Sequence, residues 1–243
     1  MANGKTVIAF DLYGTLLSTG SIAGELAKSF GDDASKPLAA LWRRYQLEYT
    51  WRINSMGMYR TFSEITRGAL QHAVAESGLA LSDGDADRLM NAYNALNVFA
   101  EVPAALKTVA DNASIIEALV FSNGTDEMVS ASIATSPGLS PHAGLFKGLV
   151  TVDGLKVFKP DWKTYGHLLE HVGKQSFPGD VWLITANPFD VVGARAAGLR
   201  AAWVDRAGTG WVDQLGDVIG GITPSLVVSG VDEAVDKILQ QTL

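Results

Sequence analysis

The apolar run VIAF at 7–10 ends on a carboxylate, Asp11, with LYGTL immediately behind it. A carboxylate at the tip of a buried strand can attack carbon if it is kept dry, oriented and ionised by a nearby cation. Lys159, in VFKPD behind a β-like segment, is the cation expected to reach Asp11, because an opposite charge within a few ångströms favours the ionised form. The decapeptide alone fits a second role for Asp11 equally well, that of a helix cap or turn residue. Three other polar groups follow apolar runs in the same way: Ser122 to Gly124, Thr185 to Asp190, and Asp205 with Arg206.

The elements that must position these residues follow from the hydropathy pattern. VIAF (7–10), ALVF (118–121), VWLI (181–184), AAWV (201–204) and LVV (226–228) are continuous rather than alternating apolar runs, spaced by helical patterns. That is the mark of parallel strands covered on both faces. The expected fold is therefore α/β, with a Rossmann-like parallel sheet, and such sheets bind ligands at the carboxyl ends of their strands. Residues 18–98 read as helix throughout. PLAALWRRYQLEYTWRINSM keeps an apolar face, TFSEITRGALQHAVAESG opens with a Thr-x-x-Glu capping box at Thr61 and Glu64, and DADRLMNAYNAL follows an Asp/Gly-rich start. This divides the chain into a core of 1–17 and 99–243 and a helical cap of 18–98, placed where a lid could exclude water. SPGLSPHAG at 136–144 reads as one surface loop.

Composition narrows the chemistry. The 243 residues carry a formal net charge of -7, and no stretch gathers Lys or Arg as a nucleic-acid binder would need. With no cysteine, disulfides, thiolate metal sites and cysteine nucleophiles are excluded. MANGKTVIAFD offers neither a signal peptide nor a spanning helix, so a soluble cytoplasmic protein is expected, with no membrane partner. His167 and His171 have the spacing of a zinc pair but lack a third ligand, and read as a helix-surface pair. Asp83, Asp85 and Asp87 imitate an EF-hand opening, yet Arg88 and Asn94 stand where glycine and glutamate are required, so this is a helix start. Gly208 and Gly210 lack the context of a dinucleotide site. No metal and no cofactor is expected.

FDLYGTL, VFSNG, FKPDWKTY and TANPFDVVGARAAG, in that order, together with LWRRYQLEYTW in the cap, resemble the haloacid dehalogenase superfamily and its L-2-haloacid dehalogenase branch. The resemblance covers essentially the whole chain. It implies that Asp11 is a nucleophile paired with Lys159, and that Arg43 receives the departing halide with help from the Asn123 amide and the edge of Phe189. It also implies a homodimer. Arg44 stands where relatives often have glutamine, and Thr185 and Ala186 where they usually have serine. In the superfamily's phosphatases the second residue after the nucleophile is usually an aspartate that acts as general acid beside magnesium. Here it is Tyr13, whose reference pKa of about 10 suits neither role, although its ring could line a pocket.

The substrate carboxylate has candidate holders in Thr15, Ser122 and the backbone N–H groups of Leu12 and around Asn123; Ser122 and Asn123 could equally cap a helix. Asp190 is placed to activate or orient the water that cleaves the ester, with Asn187 and Thr185 completing the network. Tyr165 matches a family position that hydrogen-bonds within the site, and would also suit an ordinary amphipathic helix. Trp42, Leu47, Phe62 and Phe189 are expected to wall the pocket, each being equally acceptable as core. The expected reaction converts a 2-haloacid to the 2-hydroxy acid and a halide ion. Hydrolysis of a strained-ring acid such as azetidine-2-carboxylate, a magnesium-dependent phosphatase, and a non-catalytic binding protein are the rivals.

Overall fold

The computed structural model describes residues 5–242. Six strands, β1 (Thr6–Phe10), β2 (Ile116–Ser122), β3 (Leu149–Thr151), β4 (Val181–Thr185), β5 (Arg200–Val204) and β6 (Leu226–Val228), form one sheet in the order β3-β2-β1-β4-β5-β6. Every neighbouring pair is parallel. Ile8, Ala9, Phe10, Leu183 and Ile184 are wholly buried, as strands covered on both faces require. This is the Rossmann-like α/β fold expected from the apolar runs. The run pattern missed one strand, β3, which spans three residues at the sheet edge.

Chain order reverses between β1 and β4, and that switch point is where an open parallel sheet leaves a crevice. The register pairs Phe10 with both Val120 and Ile184, so Asp11 stands level with Phe121 on one side and Thr185 on the other.

Between β1 and β2 the chain forms α1 (Ala23–Phe30), α2 (Asp32–Ser55), α3 (Phe62–Glu76) and α4 (Asp83–Tyr93), then α5 (Val102–Asp111). Helix α2 packs on both α1 and α3. The stretch is four helices with intervening turns, rather than helix throughout. The capping box is formed, Thr61 accepting from the Glu64 N–H and Glu64 accepting from the Thr61 N–H, and Asp83 and Asp85 occupy the first turn of α4. Helices α6 (Asp126–Thr135), α7 (Trp162–His171), α8 (Pro188–Ala196), α9 (Leu215–Val218) and α10 (Val231–Thr242) complete the chain.

Two local readings change. The segment before Lys159 is not a strand: β3 ends at Thr151, a 3-10 turn follows at Asp153–Leu155, and Lys156 is left-handed. The 136–144 loop is anchored rather than free, with Ser136 and Leu139 buried and a 3-10 turn at Ser140–Leu145. Among the described residues no helix is long and apolar enough to cross a membrane, and no three His, Cys, Asp or Glu side chains are grouped to hold a metal ion.

Candidate active site

Asp11 leaves the end of β1 with a buried carboxylate. All its partners are side chains, so it caps no helix. Oδ2 accepts from Thr15 Oγ1 and Asn187 Nδ2, both at 2.7 Å, and lies 3.4 Å from Thr185 Oγ1. Oδ1 has a single, longer contact, 3.3 Å to Lys159 Nζ. One oxygen is held tightly; the other is left available.

The turn that delivers these groups depends on Gly14, whose φ of +91° is costly for any residue with a Cβ. Thr15 is thereby brought back under Asp11, where its hydroxyl donates to Oδ2 and accepts from the Ala186 N–H at 2.9 Å. Its hydroxyl is thus spent on the nucleophile, which corrects its expected place as a grip for a substrate carboxylate. Arg206, on the loop after β5, braces the same turn by donating to the carbonyls of Thr15 at 2.8 Å and Gly14 at 3.4 Å while pairing with Glu101 at 2.6 Å.

Lys159 is 1% exposed, and its ammonium donates to Asp190 Oδ2 at 2.9 Å and to the Phe121 carbonyl at 2.8 Å besides its contact with Asp11. One cation therefore serves two buried carboxylates. Each oxygen of Asp190 carries one of these bonds, Oδ1 accepting from Tyr165 Oη at 2.7 Å, and a carboxylate oxygen has a second lone pair left over to accept a proton. Burial pushes its carboxyl above the ordinary range, against the pull of Lys159 and with the charge of Asp11 adding to the rise. Burial and the same two carboxylates hold the Tyr165 phenol well above its usual value, so it is a donor.

Tyr165 reaches Asp190 because residue 193 is glycine. A Cβ there would lie 2.4 Å from Tyr165 Oη and 2.6 Å from its ring. Asn187 sits at the N-cap of α8 but makes no capping bond; its side chain goes to Asp11 instead. Pro188 at the helix start removes one N–H that would otherwise need a partner.

After β2 the N-cap of α6 is Thr125, which frees Ser122 and Asn123 from that duty. Ser122 Oγ accepts from the Gly124 N–H at 3.0 Å, and Asn123 Oδ1 accepts from the Lys159 N–H at 2.9 Å. Among the described residues the Asn123 amide nitrogen and the Leu12 and Tyr13 N–H groups form no hydrogen bond, so they remain able to grip an anion.

From α2, Arg43 points inward and donates to the Tyr13 carbonyl at 2.8 Å, Asn187 Oδ1 at 3.4 Å and Gln46 Oε1 at 2.6 Å. A guanidinium has five N–H donors, so these acceptors leave part of its donor capacity over, with the Tyr93 hydroxyl also within its reach. Arg44 faces outward, its side chain 60% exposed beside Glu76. Sequence reasoning missed what fixes Arg43. Gln46, three residues on and fully buried, also accepts from Tyr93 at 3.1 Å and donates to Thr66 at 2.7 Å.

The aromatic residues divide. Phe189 meets Trp51 edge to face at 5.3 Å, and half-buried Leu47 lies one turn from Arg43 on α2, both in keeping with a pocket wall. Trp42 is interior to the cap helices, with its Nε1 donating to the Thr66 carbonyl, which corrects its place as a wall residue. The Phe62 and Tyr13 rings meet at a tilt of 32° with centroids 5.8 Å apart. The Tyr13 hydroxyl is turned away to Ser132, so what Tyr13 presents to Arg43 is its carbonyl. Burial also pushes its phenol up, against the lowering pull of the Ser132 hydrogen bond.

A parallel α/β sheet with a cation-paired aspartate at its switch point, roofed by an arginine from an inserted helix, is the arrangement of one hydrolase class. The sequence model of the haloacid dehalogenase-like hydrolases matches residues 5–198. An (S)-2-haloacid dehalogenase of Pseudomonas sp. (strain YL) is 33% identical over 204 residues, 83% of each chain. Haloacetate dehalogenase H-2 of Moraxella sp. (strain B) is 32% identical over 95% of this chain and 96% of its own. The L-2-haloacid dehalogenase of Xanthobacter autotrophicus, solved with chloropropionic acid covalently bound, superposes with a TM-score of 0.83 at 25% identity, covering 97% of this chain and 98% of that one. The chain belongs to the haloacid dehalogenase-like hydrolases, in the L-2-haloacid dehalogenase branch.

Proposed function

We propose that the protein is an (S)-2-haloacid dehalogenase, which hydrolyses short L-2-haloalkanoic acids to D-2-hydroxy acids without a cofactor. The observation that carries this reading is the asymmetry of Asp11. Oδ2 is held by two 2.7 Å donors, whereas Oδ1 is aimed only by the Lys159 ammonium at 3.3 Å. Oδ1 attacks C2 opposite the halogen, and the C–halogen bond breaks with its electron pair leaving on the halide. The remaining donor capacity of Arg43, the Asn123 amide and the edge of Phe189 receive that ion. The substrate carboxylate is gripped by Ser122 and the Leu12 and Tyr13 N–H groups, and the alkyl group lies against Leu47 and Phe189.

Water then attacks the Asp11 carboxyl carbon, and negative charge collects on Oδ2, where Thr15, Asn187 and Thr185 already stand as donors. Such preorganised donors act without rearranging as charge develops. When the intermediate collapses, Oδ1 leaves as the product hydroxyl. Lys159, hydrogen-bonded to both carboxylates, relays a proton to it, while Asp190 takes the proton of the attacking water on a lone pair its two partners leave open. Residues 18–98 form the cap over a core of 1–17 and 99–243, and the enzyme works in the cytoplasm and as a homodimer, the latter as the family resemblance implies.

The test is turnover of the two enantiomers of 2-chloropropionate. The S form should yield chloride and D-lactate, and Asp11→Ala should yield neither. Arg43→Ala should retain activity reduced by about 100- to 1000-fold, the usual cost of one anion-stabilising donor. Equal use of both enantiomers, or an active Asp11→Ala, would overturn the assignment.

A further inference from the structure

The loop that carries Lys159 is held from the side of α2 by Asn54 and Tyr59. Asn54, in the last turn of α2, donates Nδ2 to the Phe158 carbonyl at 2.7 Å and accepts the Phe158 N–H on Oδ1 at 3.0 Å. An amide side chain thus holds both backbone polar groups of the residue before the lysine, sharing the carbonyl with the Asp161 N–H at 3.1 Å. Tyr59, just after α2, adds a ring stacked on Phe158 at 5.2 Å and a hydrogen bond to Asp153. On the core side, Asn123 holds the Lys159 N–H at 2.9 Å.

We propose that Asn54 is a positioning residue that ties docking of the inserted helices to placement of Lys159, so that the nucleophile is fully equipped only when α2 is seated. The inference rests on the dehalogenase reading for its catalytic consequence, but not for its structural one. The loop between β3 and α7 has no strand or helix of its own at Val157 to Lys159. Without the Asn54 clasp the Phe158 N–H would lose its partner among the described residues and the carbonyl would keep only the local bond from the Asp161 N–H at 3.1 Å, so the loop would hold the ammonium's approach to Asp11 less tightly. Shifts of about 1 Å in a reacting group can cost about 100-fold in rate.

The test combines Asn54→Leu, which keeps the bulk and removes both hydrogen bonds, with Asn54→Gln, which keeps the amide, and Ser55→Ala as a neighbouring control. Labelling with an amine-acylating reagent, followed by peptide mapping, should show Lys159 reacting about tenfold faster in Asn54→Leu while exposed Lys163 is unchanged, as local opening requires. On (S)-2-chloropropionate, kcat should fall by about tenfold or more with KM within about threefold, and Asn54→Gln should recover part of it. If Asn54→Leu does not fold, hydrogen exchange on the wild type decides: the Phe158 amide should exchange about 100-fold more slowly than that of Val157, which has no partner among the described residues. Wild-type labelling and kcat in a folded Asn54→Leu, or equal exchange at Phe158 and Val157, would overturn the proposal. Labelling and exchange do not depend on the substrate, so failure of the dehalogenase assignment would show separately, as wild-type enzyme inert toward 2-haloacids.

Discussion

Tyr165 donates its hydroxyl to Oδ1 of Asp190 across 2.7 Å, with both side chains cut off from solvent. Burial raises the Asp190 carboxyl, while this hydrogen bond, like the Lys159 ammonium, favours the ionised form. The proton balance has a definite sign: removing the phenol takes away one lowering influence and leaves burial unopposed by it. Tyr165→Phe should therefore move the acid limb of kcat to higher pH. A hydrogen bond to a charged group is worth about 1.5–3 kcal/mol, so the displacement should be about one pH unit or more. A pH–rate profile of the variant checks this, and an unmoved or lowered limb would count against ionised Asp190 as the working form.

Gly193 permits that hydrogen bond by letting the Tyr165 ring lie against α8. Gly193→Ala would put a methyl group into a ring with nowhere to retreat. Overpacking of this kind costs about 1–3 kcal/mol, and the denaturation midpoint should fall accordingly. Activity should fall with it, because the phenol is pushed from Asp190. A variant as stable as wild type would show that Tyr165 is looser than its burial suggests.

Gln46 fixes Arg43 through a buried chain that runs on to Tyr93 and Thr66. Gln46→Leu would leave those hydroxyls and the guanidinium without their shared partner, at about 1–3 kcal/mol for each buried group unmet. If Arg43 receives the halide, the loss should weigh more heavily on chloride than on bromide, the better leaving group. The ratio of 2-bromopropionate to 2-chloropropionate kcat should rise; an unchanged ratio would remove Arg43 from the leaving-group side.

Arg206 should matter through its geometry rather than its charge. Two carbonyls of the Asp11 turn and the Glu101 carboxylate share one planar guanidinium, an arrangement an ammonium cannot reproduce. Arg206→Lys should lower kcat by about tenfold with little change in KM, since the group displaced is the nucleophile's turn. Steady-state kinetics on one substrate suffice to check it.

What could be read from the sequence was whatever lies next to a strand end. Asp11, Asn187 and Asp190 each follow an uninterrupted apolar run, so chain order alone puts them at one edge of the sheet, and Thr61 with Glu64 announced a helix start through purely local chemistry. Gln46 and Asn54 carried no such mark. Asn54 finds its partner 104 residues away, and Gln46 looks like any polar residue on an amphipathic helix until burial is known. β3 was missed because its three residues, Leu149 to Thr151, end on a polar side chain and make no continuous apolar run, whereas the equally short edge strand β6, Leu226–Val228, does. Thr15 was placed in the right site but given an open hydroxyl, because sequence shows which groups are near one another and not which hydrogen bonds they have already spent. Tyr13 had the same ambiguity: its ring and its carbonyl face different surroundings, and only the turn at Gly14 decides which one the site receives.

The account turns on Oδ1 of Asp11 becoming the oxygen of the product. A single turnover of (S)-2-chloropropionate by excess enzyme in H₂¹⁸O, followed by mass analysis of lactate and of the peptide bearing Asp11, tests this directly. The predicted result is unlabelled lactate and one heavy oxygen in the peptide. Label in the lactate with an unlabelled peptide would mean that water attacks C2 itself, and would contradict the covalent route.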